Sequence, residues 1–294
     1  MALSMVTNTS SLMVRSNLNA ATASMNTAIE RMTTGFKVNR AKDDAAGLNI
    51  IDTMTAKIGS FEVATDNAQI GLDMLTTAEE NYGVITGHLQ RIRELTEQAA
   101  NETYSTDSLL AIRAEIKARL DEIDRVAAVA EYNGLFLMNG DLETNGVVIQ
   151  VGLYGETDDK ITLDGTLFKG VTSTALIAAG ASDNEGLATS LARIDDTGAV
   201  QTDNCSKFLT KMDTAIKDIA TRVTNLGAAQ NRLESAMESI QANIFQLTNS
   251  RMSMRDADVA EESTNFIQAQ ILQSAAGTLL STANQTPSIA LQLI

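Results

Sequence analysis

The stretch Ile51 to Ile92, IDTMTAKIGSFEVATDNAQIGLDMLTTAEENYGVITGHLQRI, sets Ile51, Met54, Ile58, Phe61, Thr65, Ala68, Leu72, Leu75, Tyr82, Ile85, Leu89 and Ile92 at spacings of three and four, interrupted once between Leu75 and Tyr82. Apolar residues with that period lie on one side of an α-helix, and five or more heptads of them make a coiled-coil seam. A helix from about Asp44 to Ala99 would be roughly 80 Å long at ~1.5 Å per residue. Asp43 and Asp44 stand at its start, where carboxylates favour the positive end of the helix dipole. A compact enzyme core has no use for such a rod. The pair reads as helix-start charge rather than acid/base machinery, because no metal ligand or partner base is near it in the sequence.

A second rod starts near Lys207. Met212, Ile216, Ile219, Val223, Leu226, Gln230, Leu233, Met237, Ile240, Ile244, Leu247, Arg251 and Met254 alternate four and three along it. Gln230 and Arg251 are polar intrusions of the kind that fix register. Between the rods, Asn101 to Asp107 is a polar turn with a cap at Asp107. Leu109, Ile112, Ile116, Leu120, Ile123 and Val126 then mark a shorter helix that folds back as a hairpin. The texture changes at Asn133-Gly134, Asn139-Gly140 and Asn145-Gly146, three turn dipeptides in close succession. Val147 to Leu153 and Lys160 to Leu163 read as strands joined by a turn at Gly155 to Asp159. Thr172 to Val200 is small and polar, with a weak helical patch near Leu187 to Ile194.

The two ends have a different character. Met1 to Ile29 holds one charged side chain, Arg15, and Ser263 to Ile294 holds none. Nothing on helices with such surfaces repels a neighbour, so the ends are expected to find each other and then other copies. Ser16 to Met32 carries Leu18, Met25, Ile29 and Met32 on one stripe, before a connector at Thr33 to Asn39. The final helix follows a charged joint, Arg255 to Glu262, with caps at Asp256 or Asp258. Its apolar knobs are Phe266, Ile267, Ile271, Leu272, Leu279 and Leu280, and Pro287 is expected to end it. Alone, these helices gain little, since helical stability in water comes mostly from packing. The chain is therefore mainly α: long antiparallel coiled-coil-like helical rods, paired N- and C-terminal helices, and a small β-hairpin insertion. The expected division is 1–42 with 256–294, 43–140 with 201–255, and a short insertion at 141–200.

Composition agrees with packed helices. The 294 residues are 44% apolar and 4% aromatic, with one Pro and no Trp. A net charge of −15 argues against nucleic acid and against an anionic membrane surface as partners. No run approaches the ~20 apolar residues of a membrane span. Met1 to Ser11 lacks the basic and apolar regions of a secretory signal, which by the ordinary export route would leave the protein in the cytoplasm. His88 is the one histidine, so no histidine metal cluster can be built and no nucleophile is set beside it. Cys205 is the one cysteine and reads as a small buried or loop residue. No phosphate-binding glycine loop occurs, and the methionines sit at helical spacing as packing residues. No enzyme activity and no cofactor are expected.

The residues themselves resemble a known family. NLNAATASMNTAIERMTTGFKVNRAKDDAAGLNI (Asn17 to Ile50), LQRIREL (Leu89 to Leu95) and AEIKARLDEIDRVAAVAEYNGLFLMNG (Ala114 to Gly140) resemble the N-terminal signature of bacterial flagellin. RMSMRDADVAEESTNFIQAQILQSAAGTLLSTANQTP (Arg251 to Pro287) resembles its C-terminal partner. These segments bracket both rods, and their joint occurrence in this order is highly specific. The middle, about Asp141 to Val200, has no such match.

The resemblance implies a structural subunit that polymerises into the flagellar filament for swimming motility. It implies paired terminal helices as the inner core of the filament, packed through Leu18, Met25, Ile29, Met32, Phe266, Ile267, Ile271, Leu272, Leu279 and Leu280, and disordered in the free monomer. It implies export without signal cleavage through the flagellar type III apparatus, placing the filament outside the cell. The implied partners are other copies of the chain, an export chaperone on the C-terminal segment, and the filament cap and hook-junction proteins. The family's contact surface for Toll-like receptor 5 maps onto Gln90, Arg91, Leu95 and Glu115. Two departures stand out: the middle is short, so large outer domains are expected to be absent. The chain also ends IALQLI, without the terminal Arg or Gly common in the family. The alternatives are a hook–filament junction protein and a secreted helical effector or translocator. An enzymatic variant would need a zinc-protease motif, which a single histidine does not supply.

Overall fold

A computed structural model of the chain describes residues 8–101, 103–178 and 202–292. Its elements in order are α1 (Thr9–Thr34), α2 (Ala45–Ala99), α3 (Thr106–Val129), β1 (Glu131–Tyr132), β2 (Leu135–Phe136), β3 (Val147–Gln150), β4 (Lys160–Leu163), α4 (Ser173–Ala178), α5 (Thr202–Arg255) and α6 (Val259–Gln292). The expected fold class is the observed one. Contacts divide the molecule into two compact units. One takes the described residues up to Gly59 and from Ile244 onward; the other is Ser60–Asn243.

In the Ser60–Asn243 unit the heptad stripes become the core. Leu75, Tyr82, Ile85, Leu89 and Ile92 of α2 are buried together with Ile112, Ile116, Leu120 and Ile123 of α3 and Met212, Ile219, Leu226 and Leu233 of α5. Helix α3 runs back along α2, as the Arg91–Glu115 ion pair at 3.6 Å shows. Its N-cap is Ser105, which accepts from the Ser108 amide at 3.4 Å, not Asp107 as expected. The reason is spacing: Asp107 already lies in the first turn, where its charge serves the helix dipole. Tyr82 is fully buried, its hydroxyl donating to the Leu167 carbonyl at 2.7 Å. Burial raises its pKa, with the nearby Arg222 acting in the opposite sense.

Two short antiparallel strand pairs sit on this core. Asn133 (φ 49°) and Gly134 (φ 82°) both have positive φ and join β1 to β2, a two-residue hairpin turn of the Asn-Gly kind. Strands β3 and β4 pair antiparallel with Ile149 opposite Ile161, both buried, and Val148 opposite Thr162, both exposed. A one-residue slip would turn that buried face to water, so the register is fixed by the core beneath. Ile149 sits against Gly71 of α2, where any larger residue would displace it. Short helix α4 has no counterpart in the sequence pattern. It is held by Asp124, which accepts from the Ser173 amide at 2.6 Å and from its hydroxyl at 2.7 Å. The helical patch expected near Leu187 to Ile194 lies outside the described residues.

Gly146 has φ +59°, and a methyl group on it would run into the Leu163 carbonyl. Gly146→Ala is expected to destabilise the Ser60–Asn243 unit by about 2 kcal/mol or more, since both the backbone conformation and the space reject a side chain. Thermal denaturation of the purified chain checks this; an unchanged melting temperature would show that the turn tolerates a side chain and does not hold this conformation.

The second helix pair belongs to the other unit. Helix α1 spans Thr9–Thr34, longer than its apolar stripe, and ends on Gly35 in the left-handed conformation (φ 74°), whose amide donates to the Arg31 carbonyl at 2.8 Å. Helix α6 is capped by Asp258, which accepts from the amides of Ala260 and Glu261 at 2.8 and 3.3 Å. The expectation that Pro287 ends this helix is overturned: α6 passes through it to Gln292. The carbonyl that loses its donor there is satisfied from outside the helix.

Candidate functional site: the terminal helix pair

Helices α1 and α6 lie antiparallel, with Asn8 bonded to Ala283 at one end and Arg31 to Glu262 at the other. Their seam is made of small residues. Ala21 and Ala28 on α1 and Ala269 and Ala276 on α6 are buried, each pair seven residues apart, and Glu262 is seven before Ala269. Alanines at heptad spacing keep one face narrow, which lets two backbones approach closely. An open groove of about 780 Å³ along the pair is lined by these alanines and by Val14 and Leu279.

Polar contacts mark fixed points along the seam. Arg31 Nη1 bonds Glu262 Oε1 at 2.8 Å, and the Glu262 side chain is only 9% exposed. Gln273 Nε2 donates to Thr22 Oγ1 at 3.2 Å midway along. The two connectors that flank the pair are clasped. Lys37 donates to the Arg255 carbonyl at 2.6 Å, Ala257 donates to the Gly35 carbonyl at 2.9 Å, and the Arg255 guanidinium lies 3.9 Å over the Phe36 ring. Sequence reasoning missed this clasp. Its one signal was an aromatic residue in the first connector and an arginine at the start of the second.

The large apolar residues named from the sequence lie beside the seam or away from it. Leu18, Met25, Met32, Phe266 and Leu280 are half-buried. Ile29, Ile267, Ile271, Leu272 and Leu279 are exposed, at 43, 54, 62, 53 and 58% respectively. Within one chain the alanines are covered, while these last five aliphatic side chains are left exposed. Four of the five, Ile267, Ile271, Leu272 and Leu279, lie on α6.

The four residues named on the other unit divide. Gln90 and Arg91 are exposed, and Arg91 reaches Glu115 as well as Glu94, whose carboxylate bonds it at 2.8 Å. The bond to Glu94, foremost, holds the Arg91 pKa above its ordinary value. Leu95 is 2% exposed and belongs to the core beneath them. Cys205 is buried, and burial pushes its thiol pKa up. Among the described residues no group of three His, Cys, Asp or Glu side chains is placed to hold a metal ion. No described helix is long and apolar enough to cross a membrane.

Comparison with known proteins gives a consistent result. Residues 5–142 match the family model of the bacterial flagellin N-terminal helical region, and residues 209–294 match that of the C-terminal helical region. The flagellin of Bacillus subtilis (strain 168) is 31% identical over 286 residues, covering 90% of this chain and 91% of that one. A flagellar filament 33 kDa core protein of Treponema phagedenis is 29% identical and is covered to 98%, as is this chain. A solved structure from Vibrio parahaemolyticus, reported as a putative flagellar hook-associated protein, overlaps 73% of this chain and 100% of its own with a TM-score of 0.56. At 14% identity that is a likeness of fold.

Proposed function

The chain belongs to the bacterial flagellin family, and from that premise we propose that it is the structural subunit of a flagellar filament, assembled outside the cell for swimming. The reading is assembly, not catalysis. The observation that carries it is the state of the terminal pair: α1 and α6 close on each other through alanines and leave Ile267, Ile271, Leu272 and Leu279 in water. Burying each such side chain contributes about 1.5–3 kcal/mol, so repeated copies gain what a single chain cannot. In the assembled state residues 1–42 and 256–294 form the inner domain around the filament axis. The short insertion leaves no large outer domain.

The finer steps follow the family. The chain leaves the cell uncleaved through the flagellar type III apparatus, with a chaperone on its C-terminal segment, and adds beneath a cap at the growing end. Gln90, Arg91 and Glu115 form the surface open to Toll-like receptor 5, with Leu95 supporting it from inside. Seeding purified subunit with filament fragments tests the main reading; long filaments are the expected product. The likeness of fold to a hook-associated protein favours one other reading, a hook–filament junction protein. Assembly that stops at short rings or caps under every salt condition would support it. A secreted helical translocator would instead leak liposomes without forming filaments.

Ordering coupled to assembly has a second consequence. Limited proteolysis of the monomer is expected to remove roughly residues 1–42 and 256–294 and to leave the rods protected, because terminal helices without neighbours are only marginally stable. In polymer the same sites should be protected. Ends that resist protease equally in both states would contradict the account.

A further inference from the structure

Within α6, Ala283 lies four residues before Pro287, and the helix continues to Gln292. In an α-helix the carbonyl of residue i accepts from the N–H of residue i+4, and proline has no N–H. The Ala283 carbonyl therefore lacks its helical donor. Asn8 supplies one from the far end of the chain, its Nδ2 donating to that carbonyl at 2.7 Å. The same side chain is the N-cap of α1: its Oδ1 accepts from the Ser11 amide at 3.0 Å. Ser11 Oγ in turn donates to Asn284 Oδ1 at 2.9 Å. One amide group thus begins α1 and completes α6, using its acceptor for one task and its donor for the other. A flipped amide would lose both bonds.

The seam itself explains why such a contact has work to do. Ala21 and Ala28 face a partner helix whose buried alanines, Ala269 and Ala276, have the same seven-residue spacing. Sliding one helix by a heptad would set alanine against alanine again, so burial discriminates poorly between registers. A polar residue at one position of a helix seam selects a register that apolar packing leaves open. Here the selection falls at the ends, with Arg31–Glu262 at one and Asn8–Ala283 at the other.

We propose that Asn8 and Pro287 form a register pin: the proline frees a carbonyl that α1, in the correct register, satisfies. The end of α6 then orders together with the start of α1 and not before it. The contact lies within one chain, so the inference goes beyond the filament reading and can fail separately from it.

The test is a double-mutant cycle in the full chain, with Asn8→Ser, Pro287→Ala and the double variant. Serine caps a helix as well as asparagine does but carries no amide donor to reach Ala283. Pro287→Ala restores the helical donor and removes the need for one. Amide hydrogen exchange over residues 276–292 is measured in the assembled polymer by mass spectrometry. Asn8→Ser is expected to speed exchange about 5–10-fold when Pro287 is present, the effect of one lost hydrogen bond, and less than about twofold in the Pro287→Ala background. An equal effect in both backgrounds would reduce Asn8 to a helix cap and overturn the pin, as would no effect in either. If the parent chain forms no polymer, the filament reading fails by itself. The same cycle is then read on the soluble chain under conditions where residues 276–292 of the parent show exchange protection: there coupling upholds the pin and its absence overturns it.

Discussion

Ending the chain at Asn265 is expected to abolish polymerisation at every protein and salt concentration tested, while the melting temperature of the Ser60–Asn243 unit moves by less than about 2 °C. The truncation removes Ala269 and Ala276 from the seam and every exposed aliphatic knob of α6 except Val259. It removes nothing from the core of the other unit, which lies within Ser60–Asn243. Sedimentation and electron microscopy read the polymer, and circular dichroism reads the fold. Filaments from the truncated chain would show that α6 is not the assembly surface. Loss of the fold would show that the two units are not independent.

Arg31→Ala has the next largest effect. The Glu262 carboxylate is 9% exposed and its cationic partner is Arg31, itself 29% exposed. Removing the arginine leaves a nearly buried charge with Asn265, at 3.5 Å, to hold it. Breaking a buried pair on one side is far more harmful than replacing both sides by apolar groups. The exposure of Arg31 lets water soften the loss, which sets it at about 2–3 kcal/mol. That corresponds to a rise of roughly 30–150-fold in the subunit concentration needed for polymer. Replacing both partners, Arg31→Met with Glu262→Leu, should recover most of it. A double variant as weak as the single one would mean that the pair supplies something beyond neutralising its own charge.

Much of the fold is legible in the sequence because the long helices bury large side chains at a strict period. Leu75, Leu89, Leu226 and Leu233 sit where spacings of three and four put them, and the ladder from Val147 to Leu163 needs only alternation and a turn. The terminal pair is harder to read. A sequence ranks Leu18, Met25, Ile267 and Ile271 above Ala21 and Ala269 as packing residues, because hydrophobicity grows with size. Two helices that meet closely reverse that order, since alanine is the residue that lets them meet. The β1–β2 hairpin escapes notice because strands of two residues have no period to detect, although the Asn133-Gly134 turn between them is plain. A local rule makes Pro287 a stop, and the rule fails because the donor that rescues Ala283 lies 275 positions away. The clasp of Phe36 on Arg255 escapes for the same reason: each residue looks ordinary beside its own neighbours.

The most direct test is an electron cryomicroscopy reconstruction of polymer grown from the purified chain, with side chains resolved on α6. Ile267, Ile271, Leu272 and Leu279 should be covered by helices of adjacent copies, and the α1–α6 pair should lie nearest the axis. A polymer that keeps those four side chains in solvent, or carries the pair on its outer surface, would contradict the account.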